Sequence, residues 1–89
     1  MEFRYETVKI PYTYIGTYLP DFIIRGNIFI ECKGYFRPED KRKLKAVKVS
    51  NPQLDIRLVF YSINKKSIKW AEHNSFPYAI GTIPKEWLT

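Results

Sequence analysis

Cysteine is almost absent from this sequence: Cys32 stands alone among 89 residues. No intrachain disulfide can form, and no Cys/His spacing resembles a zinc site. A reducing cytoplasm is the natural compartment for such a chain. Histidine is equally scarce. His73 falls near the end of a candidate helix, where an isolated imidazole is more often a dipole partner than a ligand or general base. No Ser-His-Asp set can be assembled around it. The four glycines do not cluster into a phosphate-cradling loop. No apolar run approaches the ~18–20 residues of a membrane-spanning helix, and Met1-Glu2-Phe3-Arg4-Tyr5 has no apolar h-region of a signal peptide. Repeats, low-complexity tracts and linkers are also missing, so residues 1–89 read as one domain.

What is present is charge and aromatic surface. Fifteen basic residues against 9 acidic ones give a net charge of +6. Such an excess suits a polyanion, either nucleic acid or an anionic membrane. Apolar residues make up 45% and aromatics 17%, enough for a small core. A chain this short buries only a modest fraction of its surface, which makes oligomerisation plausible on size alone.

The acids have one notable arrangement. Phe22-Ile23-Ile24 and Ile28-Phe29-Ile30 are apolar, β-prone runs joined by the turn residues Arg25-Gly26-Asn27. A three-residue loop sets Ile24 opposite Ile28 and Asp21 opposite Glu31, with Cβ atoms ~4.5–5.5 Å apart. A two-residue loop would shift the register and turn Asp21 to the other face. Lys33, two residues beyond Glu31, shares its face, while Cys32 points to the opposite, packed face as a buried structural thiol. Two carboxylates so close repel unless a cation lies between them. Oxygen ligands favour a hard divalent ion, Mg²⁺ or Mn²⁺, with the Cys32 backbone carbonyl as a third donor. Lys33 would then reach an attacking water or a phosphate oxygen. The set suits metal-assisted phosphodiester hydrolysis.

Pro20-Asp21 followed by Glu31-Cys32-Lys33 is the pattern of the PD-(D/E)xK nuclease superfamily. The wider text is more specific. Lys9-Ile-Pro-Tyr12, Tyr18-Leu-Pro-Asp-Phe22, Ile28-Phe-Ile-Glu-Cys-Lys-Gly34, Asp40-Lys-Arg-Lys43, Leu54-Asp-Ile-Arg-Leu-Val-Phe60 and Ile83-Pro-Lys-Glu-Trp87 occur in that order. Together they resemble the endonuclease I family of T7-like phages, from about Phe3 to Leu88. The resemblance implies a restriction-endonuclease-like α/β core and a Mg²⁺-dependent endodeoxyribonuclease that resolves Holliday junctions as a homodimer. It implies catalytic roles for Asp21, Glu31 and Lys33, with DNA as partner and the phage host's cytoplasm as compartment. Family members begin with a further helix that carries another catalytic glutamate and helps exchange elements between subunits. Here Met1 leads almost directly into the first strand, and Glu2 and Glu6 do not stand in that helical context. The alternative function is therefore a DNA-binding or assembly module on a nuclease fold, inactive until a partner completes its site.

The remaining pattern predicts a small mixed sheet of about five strands flanked by two helices. Phe3–Ile10 reads as a strand stopped by Pro11, and Tyr12–Leu19 as a loop or short extended segment. Gly34 gives the chain freedom to turn. A helix is expected from Pro38 to Val49, ended by Asn51-Pro52, with Leu44 and Val47 inward. Leu54–Tyr61 follows as a strand parallel to Ile28–Lys33, since a helix between two strands of one sheet makes a crossover. Lys66–His73 forms a second helix, Tyr78–Ile80 a closing strand and Pro84–Leu88 a helical turn. Lys41, Arg42 and Lys45 on the first helix, Lys65 and Lys66 on the second, and Tyr18 before the hairpin are the candidate DNA contacts. The helical bases could equally form a solvated outer face. Proximity to Gly34 favours Lys41 and Arg42 over Lys48.

Overall fold

The computed structural model describes the backbone of residues 3–5, 10–11 and 17–89, and side chains from Leu19 onward. The middle of the expected first strand and the tyrosines at 12 and 14 lie outside the described residues, as does the Tyr18 side chain. Five strands form the main sheet in the order β1-β4-β5-β6-β7. They are β1 (Phe3–Tyr5), β4 (Phe22–Ile24), β5 (Ile28–Lys33), β6 (Asp55–Phe60) and β7 (Tyr78–Ile80). The remaining strands, β2 (Ile10–Pro11) and β3 (Thr17–Tyr18), pair separately as an antiparallel ribbon. Pro11 is the last residue of β2 and lies opposite Thr17 in a short edge pairing, where a missing N–H costs little.

The sheet is antiparallel on one side and parallel on the other. β4 pairs antiparallel with β1 and β5, whereas β5, β6 and β7 run parallel. Each parallel step is spanned by a helix: α1 (Pro38–Ser50) links β5 to β6, and α2 (Lys65–His73) links β6 to β7. A single turn, α3 (Lys85–Leu88), ends the chain. No helix among the described residues is long and apolar enough to cross a membrane.

Alternation along the strands divides the core in two. Ile23, Phe29, Ile56, Leu58 and Phe60 face Leu44 and Val47 of α1 and Ala71 of α2, with Phe36 and Phe76 filling the same layer. Trp70 meets Phe36 edge-on at 5.0 Å and stacks on Phe76 at 5.3 Å between ring centroids. On the other face, Ile24, Ile28, Ile30 and Val59 pack against Ile83, Trp87 and Leu88. Arg57 belongs to this second face. Its guanidinium makes two bonds to Asp55, at 2.9 and 2.8 Å, and lies 5.2 Å from the centre of the Trp87 ring. That pairing explains an arginine inside an apolar strand.

Both long helices have chemically specified ends. Pro38 occupies the first turn of α1, and Asp40 reaches back to accept the Arg37 N–H at 3.2 Å. Asn64 caps α2 by accepting the Ser67 N–H at 3.0 Å. The far end of α2 is held by α1: Lys48 Nζ donates to the carbonyls of Asn74 and Ser75, at 3.1 and 2.6 Å, and sits 4.4 Å from the Phe76 ring centre. A cation there complements the helix dipole. Lys48→Met keeps the stem and removes the donor. It should lower stability by about 1–2 kcal/mol in urea denaturation.

Candidate active site on the β4–β5 hairpin

The hairpin register follows from its loop. Arg25 and Gly26 have φ of 54° and 77°, and the Asn27 N–H donates to the Ile24 carbonyl at 3.3 Å. Ile24 therefore pairs with Ile28, Ile23 with Phe29 and Phe22 with Ile30. Asp21 comes one residue before β4, just beyond this register. The Asp21 N–H donates to the Ile30 carbonyl at 3.0 Å, and the Cys32 N–H donates to Asp21 Oδ2 at 2.8 Å. Glu31 and Lys33 share the parity of Phe29, so both project to the α1 side, and the Asp21 carboxylate is tied to the backbone of Cys32 between them.

Here the apolar layer ends and the polar groups begin. Glu31 is buried, with 7% of its surface exposed. Lys33 Nζ lies 3.1 Å from Glu31 Oε2 and 3.6 Å from Asp40 Oδ1. Burial alone would lower the Lys33 pKa, but Glu31 and then Asp40 and Asp21 raise it above the ordinary lysine value. Lys33 is therefore a cation, suited to donating hydrogen bonds and meeting negative charge. A cleft of about 50 Å³ opens beside it, lined by Leu19, Glu31, Lys33, Asp40, Lys43 and Leu44.

The donor set fits a hard divalent ion. Asp21 and Glu31 could supply carboxylate oxygens, one from just before β4 and one from β5. The Lys33 carbonyl accepts from the Tyr61 N–H at 3.0 Å, toward β6. Carbonyls alternate along a strand, so that of Cys32 points the other way, toward the β4 side. Among the described residues, no third His, Cys, Asp or Glu joins the two acids in a metal-ligating group. Two carboxylates, one carbonyl and waters match the preference of Mg²⁺ for few protein ligands.

Cys32 itself is half-buried against the second core layer. Burial, then the charges of Asp21 and Glu31, push its thiol up to about 11. It stays protonated at neutral pH, as a packing group rather than a nucleophile.

A family model described as phage endonuclease I matches residues 1–89. The chain belongs to the phage endonuclease I family. It is 34% identical to endonuclease I of Escherichia phage T7, a match covering 99% of this chain and 66% of that protein. It is 36% identical to endodeoxyribonuclease 1 of Enterobacteria phage T3, covering 94% of this chain and 62% of the relative. The chain thus spans somewhat under two thirds of the length of these relatives.

In this member of the phage endonuclease I family, the bases read from the sequence lie at separate places. Arg42 and Lys45 are exposed on α1, and Lys65 and Lys66 are exposed at the start of α2. Lys41 is half-buried, its ammonium 5.5 Å from the Phe36 ring centre. None of these five lines the cleft beside Lys33. Lys43 does, together with Asp40, and neither is among the contacts singled out from the sequence. Helical phase was the available signal. Asp40 and Lys43 lie one turn apart on the flank that continues from the buried Leu44 and Val47, whereas Lys41, Lys45 and Lys48 lie on the flank toward α2. Gly34 also differs from expectation. Its φ is not positive, and what requires glycine is closeness: a Cβ there would lie 2.9 Å from Tyr61 Cδ2.

Proposed function

We propose that this chain is a divalent-metal-dependent endodeoxyribonuclease acting on branched DNA such as four-way junctions. The observation that supports the reading is the bond from the Cys32 N–H to Asp21, which holds that carboxylate beside the strand carrying Glu31 and Lys33, themselves 3.1 Å apart. Family membership supplies the reaction class, since the phage T7 and T3 relatives are named as an endonuclease and an endodeoxyribonuclease.

Asp21, Glu31 and the Cys32 carbonyl would hold Mg²⁺ or Mn²⁺. When bound, the ion would act as a Lewis acid toward the phosphate and lower the pKa of water. The protein's own part is placement and charge. Asp21 is fixed by its bond from Cys32, and Glu31 by burial and by Lys33. The Lys33 ammonium, held between Glu31 and Asp40, would stabilise the charge that gathers on the phosphate as its ester bond breaks. Lys43 would bind a neighbouring phosphate at the cleft, and the exposed bases of α1 and α2 would hold more distant ones. Such backbone contacts suit a substrate recognised by shape. Cutting both strands at a junction requires two sites, so the active species would be a two-fold symmetric dimer.

Cleavage of a labelled four-way junction in Mg²⁺, compared with the same protein in EDTA and with linear duplex, tests this reading. Cutting confined to the junction and to Mg²⁺ is expected. Equal cutting in EDTA would overturn it. Asp40→Asn should slow cleavage by ~10-fold, the order expected when a group that orients a reacting side chain is lost. Lys33→Ala should cut more slowly still, with metal affinity retained. If Lys33→Ala weakened metal binding as much as Glu31→Gln, the assigned roles would be wrong.

A further inference from the structure

The parallel strands β5, β6 and β7 all end on the same rim, one backbone step beyond Lys33. Two tyrosines are left open there. Tyr35 is 75% exposed and Tyr61 65% exposed. Single exposed tyrosines need no explanation, but these two are positioned. The Tyr61 N–H donates to the Lys33 carbonyl at 3.0 Å, which ties the residue to the end of the site strand. Its ring rests over Gly34, so close that no side chain could stand between them. The ring is therefore propped on backbone while most of the residue remains open. Tyr35 follows Gly34 directly, and the Arg37 guanidinium lies 5.9 Å from its ring centre. Lys65 and Lys66, both exposed, begin α2 shortly after Tyr61.

We propose that Tyr61, with Tyr35 at the same rim, is a stacking platform for an unpaired base of DNA adjoining the phosphate held at Lys33. An aromatic ring stacks on any base, and basic groups alongside take the phosphates. Arg37, Lys65 and Lys66 provide that charge at this rim, and the net charge of +6 favours nucleic acid over an acid-poor protein surface. A branch point is where DNA bases lose a stacking neighbour, so the platform would recognise the disrupted structure and not the sequence. This rests in part on the nuclease reading, because the platform is placed relative to its site.

The test is binding in EDTA, where no cleavage is expected, by fluorescence anisotropy with labelled single strand, four-way junction and continuous duplex. Tyr61→Ala should weaken single-strand and junction binding by about tenfold, the order of one lost base stack, and leave duplex binding unchanged. Tyr61→Phe should bind as the wild type does. Irradiating a complex with 5-iodouracil in the single strand should cross-link Tyr61 or Tyr35, located by mass spectrometry of peptides. Unchanged single-strand binding by Tyr61→Ala would overturn the proposal, as would equal loss on duplex or equal loss in Tyr61→Phe. Binding needs no metal, so a protein that stacks bases but never cuts would refute the nuclease reading alone. A protein that cuts normally with Tyr61→Ala binding unaltered would refute the platform alone.

Discussion

Asp21→Asn should lose metal-dependent junction cleavage by on the order of 10³-fold or more while binding the junction at least as tightly as the wild type. The substitution is nearly isosteric. An asparagine oxygen can still accept the Cys32 N–H that now bonds Asp21 Oδ2 at 2.8 Å, so the hairpin and its register are retained. What disappears is a negative charge. The ion loses a ligand, and the approaching phosphate loses a repulsive neighbour. Glu31→Gln should behave alike for cleavage, with a difference in origin: it also removes the closest partner of Lys33, leaving Asp40 at 3.6 Å. Single-turnover cleavage in Mg²⁺ and equilibrium binding in EDTA separate the two effects. Cutting by Asp21→Asn at the wild-type rate would remove the carboxylate from the mechanism.

The largest effect on stability should come from Phe60→Ala. Phe60 is 1% exposed and lies in the layer between sheet and helices, 5.8 Å from Phe36 and 6.1 Å from Tyr78 by ring centroids. Truncating such a ring costs about 3–5 kcal/mol, because lost burial is compounded by the cavity left behind. Domains of this size have on the order of 5–10 kcal/mol in total. Phe60→Ala should therefore melt far below the wild type and be partly unfolded near body temperature. Tyr61→Ala, one residue past the end of that strand, should change stability by less than about 0.5 kcal/mol, since most of its ring faces water. Thermal melts of the pair check this directly. The contrast bears on the site, because Phe60 lies beside Lys33 in the β5–β6 ladder. Loosening that ladder would move the lysine relative to Glu31 and Asp40.

The hairpin geometry was legible because it depends on counting. A three-residue loop leaves one register that buries Ile23 and Phe29 together, and the strands follow it as far as Phe22 and Ile30. The parallel pairing of β5 with β6 was legible for a similar reason: an intervening helix with an apolar stripe at Leu44 and Val47 must cross the sheet. Helix ends moved by a residue or so, which is the normal uncertainty of frayed termini. What could not be read was how α1 is rotated and how far it is set from the strand end. In sequence, Asp40 is an acid of the first helical turn, where it complements the helix dipole. It does cap the helix, yet the short segment from Gly34 to Arg37 also brings its second oxygen to Lys33. Lys48 resembled its basic neighbours in sequence, and only the packing of α2 across α1 gives its ammonium two carbonyls to bind. Each of these depends on the distance between elements, which no local pattern encodes.

Crystals of the protein soaked in Mn²⁺, with diffraction recorded at the manganese absorption edge, offer the most direct examination of the metal site. An anomalous peak shared by the Asp21 and Glu31 carboxylates, within bonding distance of the Cys32 carbonyl, is the expected result. Carboxylates turned apart with no peak between them, or an ion bound only elsewhere, would contradict the account.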